Sequence, residues 1–197
     1  MTRPIVPARK LPGRIASVLF AGGPGFETAP VDAVTLDFDG LSLPDGTPDR
    51  HHGPTRGADA RVPWYGRGTT IRNTRQVSIV ASAELAAIAE GLGVPEVRPE
   101  WLGANIVIDG VPDLSMLPRG TRILVKGGAA LAVDDQNAPC RQPGRVLASR
   151  YPDHPRIEFR FVEVAKRLRG LTAFVERAGP LRVGDVAELR LPEQWLY

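Results

Sequence analysis

The stretch QNAPCRQPGR (136–145) carries the one cysteine of this 197-residue chain, Cys140, with Pro139 before it and Arg141 and Arg145 after it. A thiol that packs into a core has aliphatic neighbours; this one has prolines, amides and guanidiniums. Positive charge lowers the cost of ionising a thiol, and the thiolate is the form that attacks electrophiles and binds soft metals. Pro139 fixes φ just before the cysteine and so restricts where the sulfur sits. The same composition removes other chemistries. One cysteine cannot form an internal disulfide, ligate an iron–sulfur cluster or build a Cys-rich zinc site. Three histidines, His51, His52 and His154, leave little material for a multi-histidine metal centre.

A second set of chemical groups lies in residues 41–75, a Gly- and Pro-rich stretch without periodicity. It holds six arginines between Arg50 and Arg75 against one acid, Asp59. All cations of the chain but Lys10, Lys126 and Lys166 are arginines, which grip phosphate and carboxylate through paired donors. Arg72, Arg75 and Gln76 stand where this loop meets the strand-like QVSIVA, so a rigid element can aim them. His51 and His52 in the same loop have the pKa range for acid–base work. Trp64 and Tyr65 beside the arginines resemble an RNA-binding composition. A net charge of only +3 speaks against nucleic acid as the partner.

The elements that must position these groups read mainly as strands. RIASVLFAG (14–22), VDAVTLDFDG (31–40), QVSIVA (76–81), NIVIDG, RILVKGG, ALAVDD and the segments of LTAFVERAGPLRVGDVAELRLP are short apolar runs parted by turn residues. SAELAAIAEGLG (82–93) predicts a helix capped by Ser82, with Glu84 in its first turn and Gly91 or Gly93 at its end. RFVEVAKRLRG (160–170) predicts a short amphipathic helix. Many short strands with few helices predict a mainly β barrel. GGPGF (22–26) is no phosphate loop, because Pro24 lacks an N–H and no helix follows. Length and composition predict one domain over 1–197, with an extended arm at 1–13 and the long basic loop at 41–75. No apolar run approaches a membrane span, and the N-terminus makes a poor secretory signal, which predicts a cytoplasmic protein.

RQVSIVASAELAAIAEGLG, WLGANIVIDG, LPRGTRILVKGGAALAVDDQNAPCRQPG and LRVGDVAEL, in this order, resemble the MOSC domain, named after the C-terminal part of molybdenum cofactor sulfurase. The likeness spans about residues 14–190. It implies the family's largely antiparallel β-barrel with a few short helices. It also implies association with the molybdenum cofactor, a pterin (molybdopterin) bearing a dithiolene and a phosphate. In several members a cysteine at the place of Cys140 ligates molybdenum or bears transferable sulfur. Arg72, Arg75, Gln76, Asn105, Asn137 and Arg141 are then expected to hold or brace the cofactor, Asn105 matching an asparagine many members place before this strand. DRHHGPTRGADAR resembles the HHGG-type stretch of small bacterial members but departs from it in the proline after the first glycine. His51 and His52 are expected to line the pocket or move protons. The resemblance implies a molybdenum-dependent oxidoreductase that reduces N-hydroxylated or similar N-oxygenated compounds. With no cluster ligands and no flavin-type glycine motif, its electrons must come from a separate reductase. The other reading is a non-enzymatic carrier of persulfide sulfur, or of the cofactor, on Cys140.

Overall fold

The computed structural model describes residues 5–195; residues 1–4 of the expected arm lie outside the described residues. In chain order the strands begin with β1 (Ile5–Val6), β2 (Arg9–Phe20), β3 (Ala29–Val31), β4 (Ala33–Asp37) and β5 (Gly40–Ser42). Next come β6 (Thr55–Gly57), β7 (Thr70–Arg72), β8 (Val77–Val80), helix α1 (Ser82–Leu92), β9 (Ile106–Asp109), β10 (Arg122–Val125) and β11 (Ala130–Gln136). Helices α2 (Arg141–Arg150) and α3 (Ile157–Val164) precede β12 (Leu171–Arg177), β13 (Gly179–Arg182), β14 (Val186–Leu191) and β15 (Gln194–Trp195).

Seven strands close a barrel in the order β14-β10-β11-β12-β8-β9-β2, with β2 returning to β14. Closure leaves no unpaired edge in this wall. The expected barrel is present, and its neighbours are antiparallel except β8 and β9, which run parallel. That exception has a local cause: two parallel strands need a crossover between them, and α1 supplies it. Residues 9–13 of the anticipated arm are the first half of β2 and pair with β14.

Both faces of β8 and β9 carry buried side chains, which explains why their segments read as apolar runs broken only by the half-buried Ser78 and the exposed Asp109. Ile79 and Ile106 point into the barrel core with Ile15, Ile123, Leu131 and Leu189. Their neighbours Val80 and Val107 point outward into a second core beneath the helices, with Leu85, Ile88, Leu102, Leu147 and Phe161. Each such side chain contributes about 1.5–3 kcal/mol by leaving water. The helix α1 begins one residue earlier than a Ser82 cap would require: Ala81 is the capping residue, and Ser82 is the first helical one. Gly93 closes it as expected. No helix among the described residues is long and apolar enough to cross a membrane.

The structure adds a helix, α2, where the sequence reads as loop. Pro143 sits in its first turn, where a backbone N–H has no partner to lose. Gly144 lets α2 lie directly on α3, because a Cβ there would stand 2.4 Å from the Glu158 carbonyl oxygen. The stretch 41–75 is not wholly irregular either: β6 and β7 form a small hairpin within it.

Candidate functional site

Cys140 is the residue that turns the end of β11 into α2. It occupies the N-cap with φ −133° and ψ 175°, its side chain makes no capping bond, and its thiol is free and exposed. The two arginines nearest in sequence turn away from it. Arg141 and Arg145 both donate from Nε to Glu158 Oε1, at 2.7 and 3.1 Å. The Arg141 guanidinium also lies 4.5 Å from the centroid of the Phe159 ring. These contacts fasten α2 to α3.

The cations whose charge interacts with Cys140 come from farther along the chain. Arg61, in the β6–β7 loop, is held by Asp59, with its Nε 2.9 Å from Oδ1 and its Nη2 against Oδ2. Its hydrogen bonds hold the Asp59 carboxyl well below the usual carboxylate range. Arg169 is only 5% exposed. One of its terminal nitrogens donates to the Leu102 carbonyl oxygen, and the other, Nη1, has no partner. Burial lowers its pKa to about 10, and Cys140 is the only acidic group acting in the opposite direction. A buried cation with a spare donor and no carboxylate favours an anion beside it.

Between these groups runs a closed ring of hydrogen bonds. Arg75 donates from Nη2 to Asn137 Oδ1 (3.2 Å), from Nη1 to Thr172 Oγ1 (3.3 Å) and from its backbone to Asn73 Oδ1 (3.2 Å). Asn137 Nδ2 donates to Ser78 Oγ, and Ser78 N donates to Asn105 Oδ1, each at 3.0 Å. Asn105, wholly buried, passes the chain to Asp49 Oδ2 at 3.2 Å. Asp49 Oδ1 accepts from His51 N at 3.0 Å, and Asn73 Nδ2 closes the ring on the His51 carbonyl at 2.8 Å. Thus Arg75, Asn137, Asn105 and His51, far apart in sequence, belong to one assembly with Cys140 three residues beyond Asn137. Burial, followed by Arg61 and Arg56, lowers the Arg75 pKa to about 10. His51 is exposed at the surface, yet the protein packed around it removes enough water from the imidazole to push its pKa down. Arg50, Arg61 and Arg75 push the same way and Asp49 opposes. His51 is therefore neutral at neutral pH and able to take up a proton.

Asp49 is the keystone of this ring, being 4% exposed and also accepting from Ala21 N at 2.7 Å. In Asp49→Ala, the N–H groups of Ala21 and His51 and the Asn105 amide lose their acceptor together. The expected loss is about 2–4 kcal/mol in urea unfolding, with Asp49→Asn losing less because one oxygen remains. An unchanged midpoint for Asp49→Ala means the ring does not bear on stability.

The other anticipated residues stand apart from this ring. His52 Nε2 faces Asp37 Oδ1 at 3.4 Å. Gln76 is buried and consumed by backbone, donating to the Phe38 carbonyl (2.8 Å) and accepting from Val175 N (2.9 Å). Arg72 covers the Phe174 ring at 5.2 Å. Gln76, Arg72 and Phe174, with Phe38, Asp39 and Asn73, line a cleft of about 480 Å³, and His52 is not among its lining residues. Thr172 and Phe174 share one face of β12 roughly 7 Å apart, so this cleft adjoins the Arg75 ring. Arg61, Arg169, Asp49, Asn73, Ser78 and Thr172 were not singled out from the sequence. Only the crowding of arginines in the loop hinted at Arg61, and KRLRG gave no reason to prefer Arg169. Among the described residues, no group of three or more His, Cys, Asp or Glu side chains could hold a bare metal ion.

Comparison with known proteins agrees with the order of segments. The profile of the MOSC domain matches residues 48–188. YuaD of Bacillus subtilis (strain 168), whose name places it among metal–sulfur cluster biosynthesis proteins, is 42% identical over 181 residues, covering 92% of each chain. The crystal structure of YuaD superposes with a TM-score of 0.88 at 40% identity, over 93% of this chain and 98% of that one. YiiM from Geobacillus stearothermophilus shares the fold, with a TM-score of 0.55 at 13% identity over 94% of this chain and 75% of its own. The barrel, the family profile and the full-length likeness to YuaD lead to one conclusion: this chain belongs to the MOSC domain family.

Proposed function

We propose that this chain binds the molybdenum cofactor through Cys140 and reduces N-hydroxylated or similar N-oxygenated compounds, with electrons from a separate reductase. The observation that carries the reading is the free, exposed Cys140 thiol together with the buried Arg169, on whose charge it acts and whose Nη1 has no partner. The donor set fits such a ligand. The chain offers one soft thiolate and no cluster for a bare ion among the described residues, so a metal must bring its own chelate. Bound there and reduced by the separate reductase, the cofactor would supply a centre that takes an oxygen atom from the substrate and gives up two electrons in doing so. Cys140 would hold it by sulfur. Arg61, Arg75 and Arg169 would offset the charge of its dithiolene and phosphate, since Arg75 keeps donors beyond the two that Asn137 and Thr172 use. Neutral His51 takes a proton from solvent and delivers it to the oxygen that leaves as water. Asn105 and Asn137 brace these groups from behind. The neighbouring cleft with Arg72, Asn73 and Phe174 accommodates the remainder of the cofactor or the substrate.

A second reading, a persulfide or cofactor carrier, is favoured by the exposure of Cys140 and by the metal–sulfur cluster biosynthesis named for YuaD. The deciding measurement uses protein made in a cofactor-competent host. Near-stoichiometric molybdenum and turnover of hydroxylamines with a chemical reductant are expected. Molybdenum without turnover overturns the reductase; a Cys140 persulfide without molybdenum selects the carrier.

A further inference from the structure

We propose that the tip of the β6–β7 loop, residues 58–69, is the docking surface for a small acidic protein that carries one electron at a time. The inference rests on the reductase reading above and adds to it the partner's chemistry and the place where it binds. The first observation is the distribution of charge. Residues 50–75 hold six arginines against one acid, a charge of +5, while the whole chain carries +3; the residues outside this stretch therefore sum to −2. An anionic partner is drawn to this face rather than to the rest of the surface. The second observation is the apex of the loop. Trp64 is 69% and Tyr65 48% exposed, and neither belongs to a hydrophobic core. Their ring centroids lie 6.2 Å apart with the planes tilted by 55°. Arg67 beside them is exposed as well. Tryptophan, tyrosine and arginine are the side chains that carry most of the energy of protein–protein contacts.

The tip is held in shape before any partner arrives. At its base Ala58 N donates to the Thr69 carbonyl and Gly68 N to the Ala58 carbonyl, both at 2.8 Å. Turns follow, with Val62 N on the Asp59 carbonyl (3.0 Å) and Tyr65 N on the Val62 carbonyl (3.1 Å). Arg56 and Arg61 meet on the Asp59 carboxylate. An aromatic anchor on a preformed turn loses little freedom on binding, so a small contact is enough. The loop also borders the cleft, which Thr55, Thr70, Ile71 and Arg72 of its two strands help to line. A partner seated on the tip is thereby held next to that cleft. Reduction of one N–O bond to an amine and water consumes two electrons and two protons. Two encounters with a one-electron carrier supply the electrons, each leaving a carrier oxidised by one, and solvent supplies the protons. Such encounters must be brief, which suits a small charged patch better than a broad apolar one. Single-stranded nucleic acid fits this surface less well, since it needs a track of free donors and aromatic faces on which successive bases stack. Arg50 is spent on the Phe26 and Gly23 carbonyls, Arg56 and Arg61 on Asp59, and the two rings are tilted.

The test titrates the cofactor-loaded chain with a plant-type ferredoxin, a small acidic one-electron carrier. Turnover of a hydroxylamine is then driven either by the reduced ferredoxin or by reduced methyl viologen, a small cation that needs no docking surface. Wild type is expected to bind ferredoxin at low salt and to lose it as salt is added. Trp64→Ala is expected to weaken binding roughly thirtyfold and Arg67→Glu roughly tenfold, with ferredoxin-driven kcat/KM falling in step. Viologen-driven turnover should stay at the wild-type rate in both variants, whose altered side chains are exposed. Ferredoxin bound equally by wild type and both variants, or not bound by wild type at low salt, overturns the docking surface, while turnover with viologen leaves the reductase standing. A single-stranded oligonucleotide that binds through Trp64 and displaces ferredoxin overturns it in favour of nucleic acid. Wild type that does not turn over with viologen overturns the reductase instead, and the titration, which needs no turnover, then decides the docking surface alone.

Discussion

Cys140→Ser is expected to emerge from a cofactor-competent host with its molybdenum content reduced roughly a hundredfold or more, while folding as well as wild type. The change replaces one atom, so the size of the effect comes from chemistry rather than packing. A hydroxyl does not ionise near neutral pH and is a hard donor, whereas a thiolate is soft and charged. Even residues one step removed from a metal cost tenfold to a hundredfold in affinity when changed, and a direct ligand exceeds this. Because the thiol is exposed and caps nothing, unfolding is expected to shift by no more than about 0.5 kcal/mol. Arg141→Ala is the informative companion. It removes a surface pair with Glu158 and a stacking contact on Phe159, and should leave metal content near wild type. The measurement is molybdenum per chain by elemental mass spectrometry beside a urea melt. A Cys140→Ser protein that keeps its molybdenum removes sulfur ligation from the account.

Much of the architecture could be read from residue patterns, because closed barrels of short strands leave a repeating trace of apolar runs and glycine turns. What pattern could not show was the direction of β8 relative to β9: a strand–helix–strand segment reads alike until the sheet order is known. The helix α2 was hidden by Pro143 and Gly144, two residues that argue against helix except in a first turn and at a helix contact. Cys140 was legible because its neighbours were wrong for a core. Its true electrostatic neighbours were not, since Arg61 and Arg169 approach from 79 residues before and 29 after it. Arg72, Arg75 and Gln76 looked equivalent in sequence and part company in space. The segment between β7 and β8 is irregular, so no alternation rule assigns their faces. Arg75 meets Thr172 and Asn137, Arg72 meets Phe174, and Gln76 turns inward to backbone.

The glycine after Arg169 is where fold and site are most tightly joined, and Gly170→Ala is expected to cost about 3–5 kcal/mol. Gly170 has φ +86°, and a Cβ there would stand 1.9 Å from the Ile79 carbonyl oxygen, inside the barrel wall. No rotation of a side chain relieves that contact, because both atoms are fixed to backbone. Its N–H donates to Ser115 Oγ at 2.7 Å, and Ser115 in turn donates to the buried Glu84 carboxylate from its N–H and its hydroxyl, both at 2.7 Å. The Gly170 carbonyl accepts from Asn137 N. Any shift that makes room for a methyl group therefore moves Arg169 and Asn137 together and loosens the turn that presents Cys140. Gly127→Ala separates strain from collision, since Gly127 has φ +72° but no atom within 4 Å of the place a methyl carbon would take. That variant should lose only about 1 kcal/mol, the cost of left-handed backbone alone. Urea midpoints of the two proteins, with iodoacetamide rates at Cys140, test the claim. If Gly170→Ala unfolds within about 1 kcal/mol of Gly127→Ala and alkylates at the wild-type rate, the close approach to Ile79 neither limits stability nor holds the thiol in place.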